Sequence, residues 1–86
     1  MDILIVGGGK TGSYLATLLA EDGYRLRIIE IRKDLVCGLR AQFGEKDVVL
    51  GNGADPLTLE RAGVWHADVV VAATGSDEVN LVVSTL

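Results

Sequence analysis

Short unbroken aliphatic runs alternate along the chain with longer stretches whose apolar positions recur at helical spacing. The first run, Ile3-Leu4-Ile5-Val6, is continuous, as expected of a strand buried on both faces. A helix is predicted from about Thr11 to Glu21, with Leu15, Leu18 and Leu19 on one face and Gly23 as its stop. Arg25 to Glu30 reads as the second strand. Lys33 to Phe43 reads as the second helix, with Leu35, Val36, Leu39 and Phe43 as its apolar stripe and Gly44 beyond its end. Val48-Val49-Leu50 is a third, short strand. Asp55-Pro56 opens a third helix, because Asp caps free amides and Pro has no N–H to leave orphaned at the first helical position. Gly63 ends it after about two turns. Asp68 to Ala73 is the fourth strand. Thr74-Gly75-Ser76-Asp77 has capping-box spacing, so a last helix is expected to begin there and run to the chain's end. Gly23, Gly44 and Gly63 stand where left-handed C-cap residues belong.

Strand and helix in strict alternation predict an α/β fold. The expected form is a Rossmann-like parallel sheet with strand order 3-2-1-4 and helices on both faces. That order is the first half of a dinucleotide fold plus one strand, a truncated half-Rossmann. With 86 residues, the chain is expected to be a single domain over 1–86, C-terminally incomplete against a full dinucleotide fold. At 49% hydrophobic, so short a chain is expected to cover part of its surface with a second copy or a further C-terminal part. The net charge of −4, without a basic stripe, argues against nucleic-acid binding. The longest apolar runs, such as Val69 to Ala73, are too short to span a bilayer. A strand so soon after Met1 leaves no room for a signal peptide, and a single cysteine excludes a disulfide framework; both fit a reducing cytoplasm. That cysteine, Cys37, is expected to be a small packing residue in the second helix.

The residues with chemistry begin at Gly7-x-Gly9-x-x-Gly12. The spacing gains meaning from its position, directly after a buried strand and directly before a helix. Gly7 permits the tight turn, Gly9 lets backbone approach a diphosphate, and Gly12 lets the helix pack close to the sheet. Amides at the helix start then face the anion, with the helix dipole behind them. Lys10 and Thr11 lie on the same loop, and Lys10 is expected either to add a point charge beside the phosphates or to stand as a solvated surface lysine. Gly9-Lys10-Thr11 imitates the end of a P-loop, but that motif's first glycine would fall at Leu4, inside the strand, so the match fails.

Glu30 ends the second strand, 18 positions after Gly12, where an acidic residue accepts hydrogen bonds from an adenosine ribose. A 2′-phosphate there would be repelled by on the order of 4 kcal/mol per charge pair at an effective dielectric of ~20. NAD, ATP or ADP is thereby favoured and NADP disfavoured. Arg32 stands close enough to soften that selection or to lie along an adenine face. Gly51-Asn52-Gly53-Ala54-Asp55 follows the third strand at the carboxyl end of the sheet, where ligands of open α/β folds bind. Asn52 offers both a donor and an acceptor to a base edge, with Gly53 and Ala54 beside it. Thr74 and Gly75, after the fourth strand, are expected to reach ribose or phosphate, or only to cap the last helix. His66 falls at the amino end of a strand, away from this side, and is read as a surface residue.

Taken together, several ordered motifs resemble the TrkA-N domain. They are Gly7 to Gly12, Glu30, Gly51 to Pro56, Leu59-Glu60-Arg61-Ala62-Gly63, Ala67-Asp68 and the run from Ala73 to Leu81. That domain is the N-terminal lobe of the RCK, or KTN, module of potassium transport regulators. The resemblance implies a regulator and not an enzyme. It implies binding of NAD(H) or ATP/ADP on the cytoplasmic side of a membrane potassium transporter or channel subunit, and assembly as a homo-oligomer, a dimer or higher. It also implies that Gly7, Gly9 and Gly12 hold the diphosphate and Glu30 the ribose. Asn52 and Ala54 would then lie by the adenine, and Thr74 by the second ribose or the phosphates. Asp77 and Asn80 belong to the family's signature. Ile31-Arg32-Lys33 departs from the acidic cap common in the family. Two other readings stay open: the cofactor half of an NAD-dependent oxidoreductase, and an oligomerisation module with a vestigial site.

Overall fold

The computed structural model describes residues 1–73 and 80–83. Its elements are β1 (Asp2–Val6), α1 (Lys10–Glu21), β2 (Arg25–Glu30), α2 (Lys33–Phe43), β3 (Val48–Leu50), α3 (Pro56–Arg61), β4 (Val69–Ala72) and β5 (Asn80–Val83). Single 3-10 turns at Glu45–Asp47 and Val64–His66 lead into β3 and towards β4. The strands lie in the order β3-β2-β1-β4-β5. The first four are mutually parallel, with Ile5 opposite both Ile28 and Val71, and Ile29 opposite Val49. This is the expected 3-2-1-4 arrangement.

Alternation along the strands sends successive side chains to opposite faces of the sheet. On one face Ile3, Ile5, Ile28, Val48 and Val71 pack against Ala16 of α1 and Val36 and Leu39 of α2. On the other, Leu4 and Ile29 meet Ala62 and Ala67, with Leu59 of α3 and Val64 alongside. The helices therefore cover both faces, and both sides of the central strands are buried, which is why those strands read as unbroken aliphatic runs. Each fully buried Ile or Leu contributes roughly 1.5–3 kcal/mol from its removal from water. The start of α3 is built as predicted, with the Asp55 side chain accepting from the Leu57 N–H at 3.1 Å and Pro56 in the first turn.

Three local expectations change. Residues 80–83 form a strand antiparallel to β4, with Val71 opposite Leu81, and not part of a helix running to the chain's end. The β-branched pair Val82-Val83 suits a strand. Pairing also occupies the edge of β4, whose N–H and C=O groups would otherwise stand open. The proposed helix start at Thr74 to Asp77 lies outside the described residues. Gly63 has the left-handed conformation of a C-cap, but Gly44, at φ 107° and ψ 147°, turns the chain without adopting it. Cys37 is exposed and does not pack; the buried positions of α2 are Val36 and Leu39.

Gly12 is where α1 meets the sheet most closely. A Cβ there would run into the carbonyl oxygen of Gly7, a backbone atom that cannot step aside. Gly38, within α2, has open space around the same position. Gly12→Ala is expected to destabilise the fold by about 1–3 kcal/mol, as overpacking does. Gly38→Ala is expected to stabilise it by about 0.5–1 kcal/mol through helix propensity. Denaturant midpoints of the two variants check the pair; equal and small effects would contradict the packing assigned to Gly12.

Candidate functional site

The loop from β1 to α1 divides its backbone donors between the protein interior and the surface. Gly7 turns the chain at φ 107°, and its N–H donates to the Ile29 carbonyl at 2.7 Å. The Gly8 N–H donates to Oε1 of Glu30 at 2.8 Å. Gly9 is the N-cap of α1, in extended conformation, and no side chain caps the helix. The Ser13 hydroxyl ties the loop from beneath by donating to the Gly8 carbonyl at 2.9 Å. The first-turn amides of an α-helix have no intrahelical acceptor. The first turn of α1 also carries no acidic residue, so the positive end of the helix dipole is left uncompensated there.

Glu30 faces this loop from the end of β2. Only 3% of its surface is exposed. Its second oxygen, Oε2, accepts from the backbone N–H of Arg32 at 2.8 Å and lies 3.5 Å from Arg32 Nε. The carboxylate therefore joins the glycine loop to Arg32, two residues beyond the end of its own strand.

An open cleft of about 660 Å³ lies at the carboxyl ends of β1, β2 and β3, within the size range of small-molecule sites. Gly7, Gly9, Lys10, Thr11, Glu30, Arg32, Asn52, Gly53 and Ala54 all line it. Gly12 does not; its role is the close approach of α1 to Gly7. Thr74 and Gly75 lie outside the described residues. The Asn52 side-chain oxygen accepts from the Ala54 N–H at 2.9 Å, an Asx-type turn that commits the oxygen and leaves the NH₂ group as the part able to donate to a ligand. Gly53 is glycine because a Cβ there would strike Val6, and Gly51 because one would come within 2.7 Å of Thr58. Sequence reasoning missed the apolar part of the wall, Val6, Ile29, Ile31 and Ala73. Ile31 was the legible one. It follows the strand-end acid directly, and it remains 63% exposed although aliphatic.

A smaller hollow of about 320 Å³ lies at the opposite end of the sheet, lined in part by Arg25, Arg27 and His66. His66 is exposed there, on the side away from the glycine loop. Among the described residues no three His, Cys, Asp or Glu side chains gather as a metal site would require. Among them too, no helix is long and apolar enough to cross a membrane.

The family model of the TrkA-N domain matches residues 3–86. This chain belongs to the TrkA-N domain family. It is 46% identical over 81 residues to a Trk system potassium uptake protein TrkA homolog of Methanothermobacter thermautotrophicus, covering 94% of this chain and 37% of that protein. It is 44% identical over 86 residues to the TrkA homolog 1 of Methanosarcina mazei, covering 98% of this chain and 19% of that one. Against the Trk system potassium uptake protein TrkA of Halomonas elongata it is 33% identical over 82 residues, covering 95% and 18% respectively. The chain thus spans between about a fifth and somewhat over a third of these relatives' lengths.

In this TrkA-N domain the charge on Glu30 is set by opposing forces. Burial by itself would raise its pKa, but the N–H groups of Arg32 and Gly8 and the nearby Arg32 guanidinium outweigh burial and hold it below the ordinary 4.5. A carboxyl whose pKa is depressed on folding stabilises the fold in full above its unfolded value, and that contribution fades as pH falls through the folded value. Glu30→Gln removes one acceptor and leaves a buried N–H unpaired, a loss of about 1–3 kcal/mol near neutrality. The gap in stability between wild type and variant is expected to be complete at pH 7 and to shrink progressively below pH 4.5. Urea denaturation across that range measures it; a gap independent of pH would show that the ionised form is not what the loop holds.

Proposed function

We propose that this domain is a nucleotide-binding regulatory domain of a potassium uptake system or channel, with NAD(H) or ATP/ADP as its ligand. The observation that carries the reading is the pairing, across one cleft, of an uncapped helix N-terminus at Gly9 with a strand-end carboxylate at Glu30. The residues fit such a ligand: glycines leave the floor of the cleft bare, and its volume suits an adenine nucleotide. In this reading the backbone N–H groups at the helix start, from Gly9 through Lys10 and Thr11, receive the diphosphate, while Gly7, its own N–H spent on Ile29, makes the turn and Gly12 sets the helix against the sheet. The carboxylate of Glu30 has acceptor sites beyond its two backbone bonds and takes ribose hydroxyls. Asn52, Gly53 and Ala54 border the base, Ile31 gives it an apolar wall, and Thr74 and Gly75 reach the far ribose or phosphates. NADP is disfavoured by the charge of Glu30.

The relatives' names speak of Trk potassium uptake. On that ground the partner is a membrane potassium transporter or channel subunit. The domain works at the cytoplasmic face as part of a homo-oligomer, and it transmits occupancy without catalysing a reaction. Regulation of this kind needs a ligand that binds two states of the assembly with different affinity.

Thermal unfolding with NAD, NADH, NADP, ATP and ADP tests the reading. A ligand at 100 times its dissociation constant adds about 2.7 kcal/mol of stability, so NAD or an adenine nucleotide should raise the midpoint and NADP should not. Gly9→Ala sharpens the test. Its φ of −70° suits alanine, and the added Cβ would meet only the tip of the Arg32 side chain, at 3.3 Å. The variant is expected to fold normally and to lose the nucleotide-dependent shift. No shift with any nucleotide in the wild type would sink the proposal.

A further inference from the structure

Arg32 occupies a position that the fold does not require. Its backbone N–H is tied to Glu30, but 60% of its side chain is exposed. The guanidinium approaches Glu30 through Nε, at 3.5 Å, longer than a good hydrogen bond. Its other end, Nη2, lies 3.3 Å from where a Cβ on Gly9 would be. The side chain thus leans from the carboxylate across the cleft to the point where the backbone is barest. Among the described residues its Nη donors have no hydrogen-bond partner.

We propose that Arg32 is the phosphate-reading residue of the cleft, turning its guanidinium from Glu30 onto the phosphate oxygens of a nucleotide seated at Gly9. The proposal rests on the nucleotide reading of the site. An arginine fork matches phosphate oxygens two at a time, while an exposed, single-pronged contact with a carboxylate contributes little. Movement of the side chain leaves the frame intact, because Glu30 keeps both of its backbone donors, Gly8 and Arg32. Released from the guanidinium, Oε2 of Glu30 gains room for a hydroxyl. One side chain therefore links phosphate at one end of the ligand to sugar at the other. Affinity should then rise with the phosphates on the ligand and not with its base.

Titration calorimetry of the full chain with ADP and with adenosine, for wild type and Arg32→Gln, tests this. Arg32→Gln is expected to weaken ADP roughly tenfold or more, the effect of losing charge-assisted hydrogen bonds, and not to weaken adenosine. Raising the salt concentration should weaken ADP binding less in the variant than in the wild type. Unchanged circular dichroism would confirm that the variant folds. Equal losses for both ligands would overturn the proposal, because Arg32 would then act through Glu30 on the sugar. So would an unchanged ADP affinity, because the guanidinium would then not touch the phosphates. A wild type that binds neither ligand would remove the nucleotide reading itself, a different result from a wild type that binds and a variant that binds equally well.

Discussion

A buried carboxylate holds the mouth of this domain in shape. Taking a negative charge out of water is unfavourable unless donors replace the solvent, and Glu30 finds two of them in backbone N–H groups from different segments. One belongs to the glycine loop after β1, the other to the turn after β2. The same bonds that make the charge tolerable therefore fix the relative positions of two strand ends. They also decide which amides are left for a ligand. Gly7 donates inward to Ile29 and Gly8 inward to Glu30, so the bare donors begin at the helix start.

The glycines around the cleft divide along the same line. At Gly8 a Cβ would meet Leu39, at Gly12 the Gly7 carbonyl, at Gly51 Thr58 and at Gly53 Val6. Each of those is demanded by a neighbour already in place. Gly9 alone in this group would meet only the end of a flexible, exposed side chain. Packing thus explains most of the glycine pattern, and the position that packing leaves unexplained is the one where backbone must stay open to solvent. A motif that looks like one device in the sequence is two, a close-packed frame and a bare spot within it.

The bounds of β2, α2 and β3 were legible from periodicity, because each buries a regular face against a regular partner. Glu30 was legible from its spacing after the glycine loop. Its use was not: sequence placed the acid beside the glycine loop, but which N–H groups it would hold depends on two loops meeting in space. Ile31 was passed over although its place directly after Glu30 marks it, since an aliphatic residue next to a strand reads as core until the strand's end is located in three dimensions. Cys37 shows the limit of helical phase, one step from the buried Val36 and already on the outer side. Residues 80–83 were read from a capping pattern, a local signal, and the open edge of β4 supplied a competing partner that no local signal reports.

Electrostatics connects the frame to the ligand proposed for it. The chain as a whole carries a net charge of −4, which taken alone would discourage a polyanionic ligand. At physiological ionic strength, exposed charges beyond about 8 Å are largely screened, so the distant acids of the surface count for little in the cleft. What counts is local: Lys10, Arg32 and the uncompensated helix terminus on one side, and Glu30 on the other, its negative charge already shared by two N–H groups and a guanidinium. The resulting field favours an anion at Gly9 while keeping an acceptor one strand away. A nucleotide, the ligand proposed above, makes both demands at once, with phosphate at one end of a ribose and hydroxyls on its ring. An acidic protein can therefore offer a site of the opposite sign without any change in its overall charge.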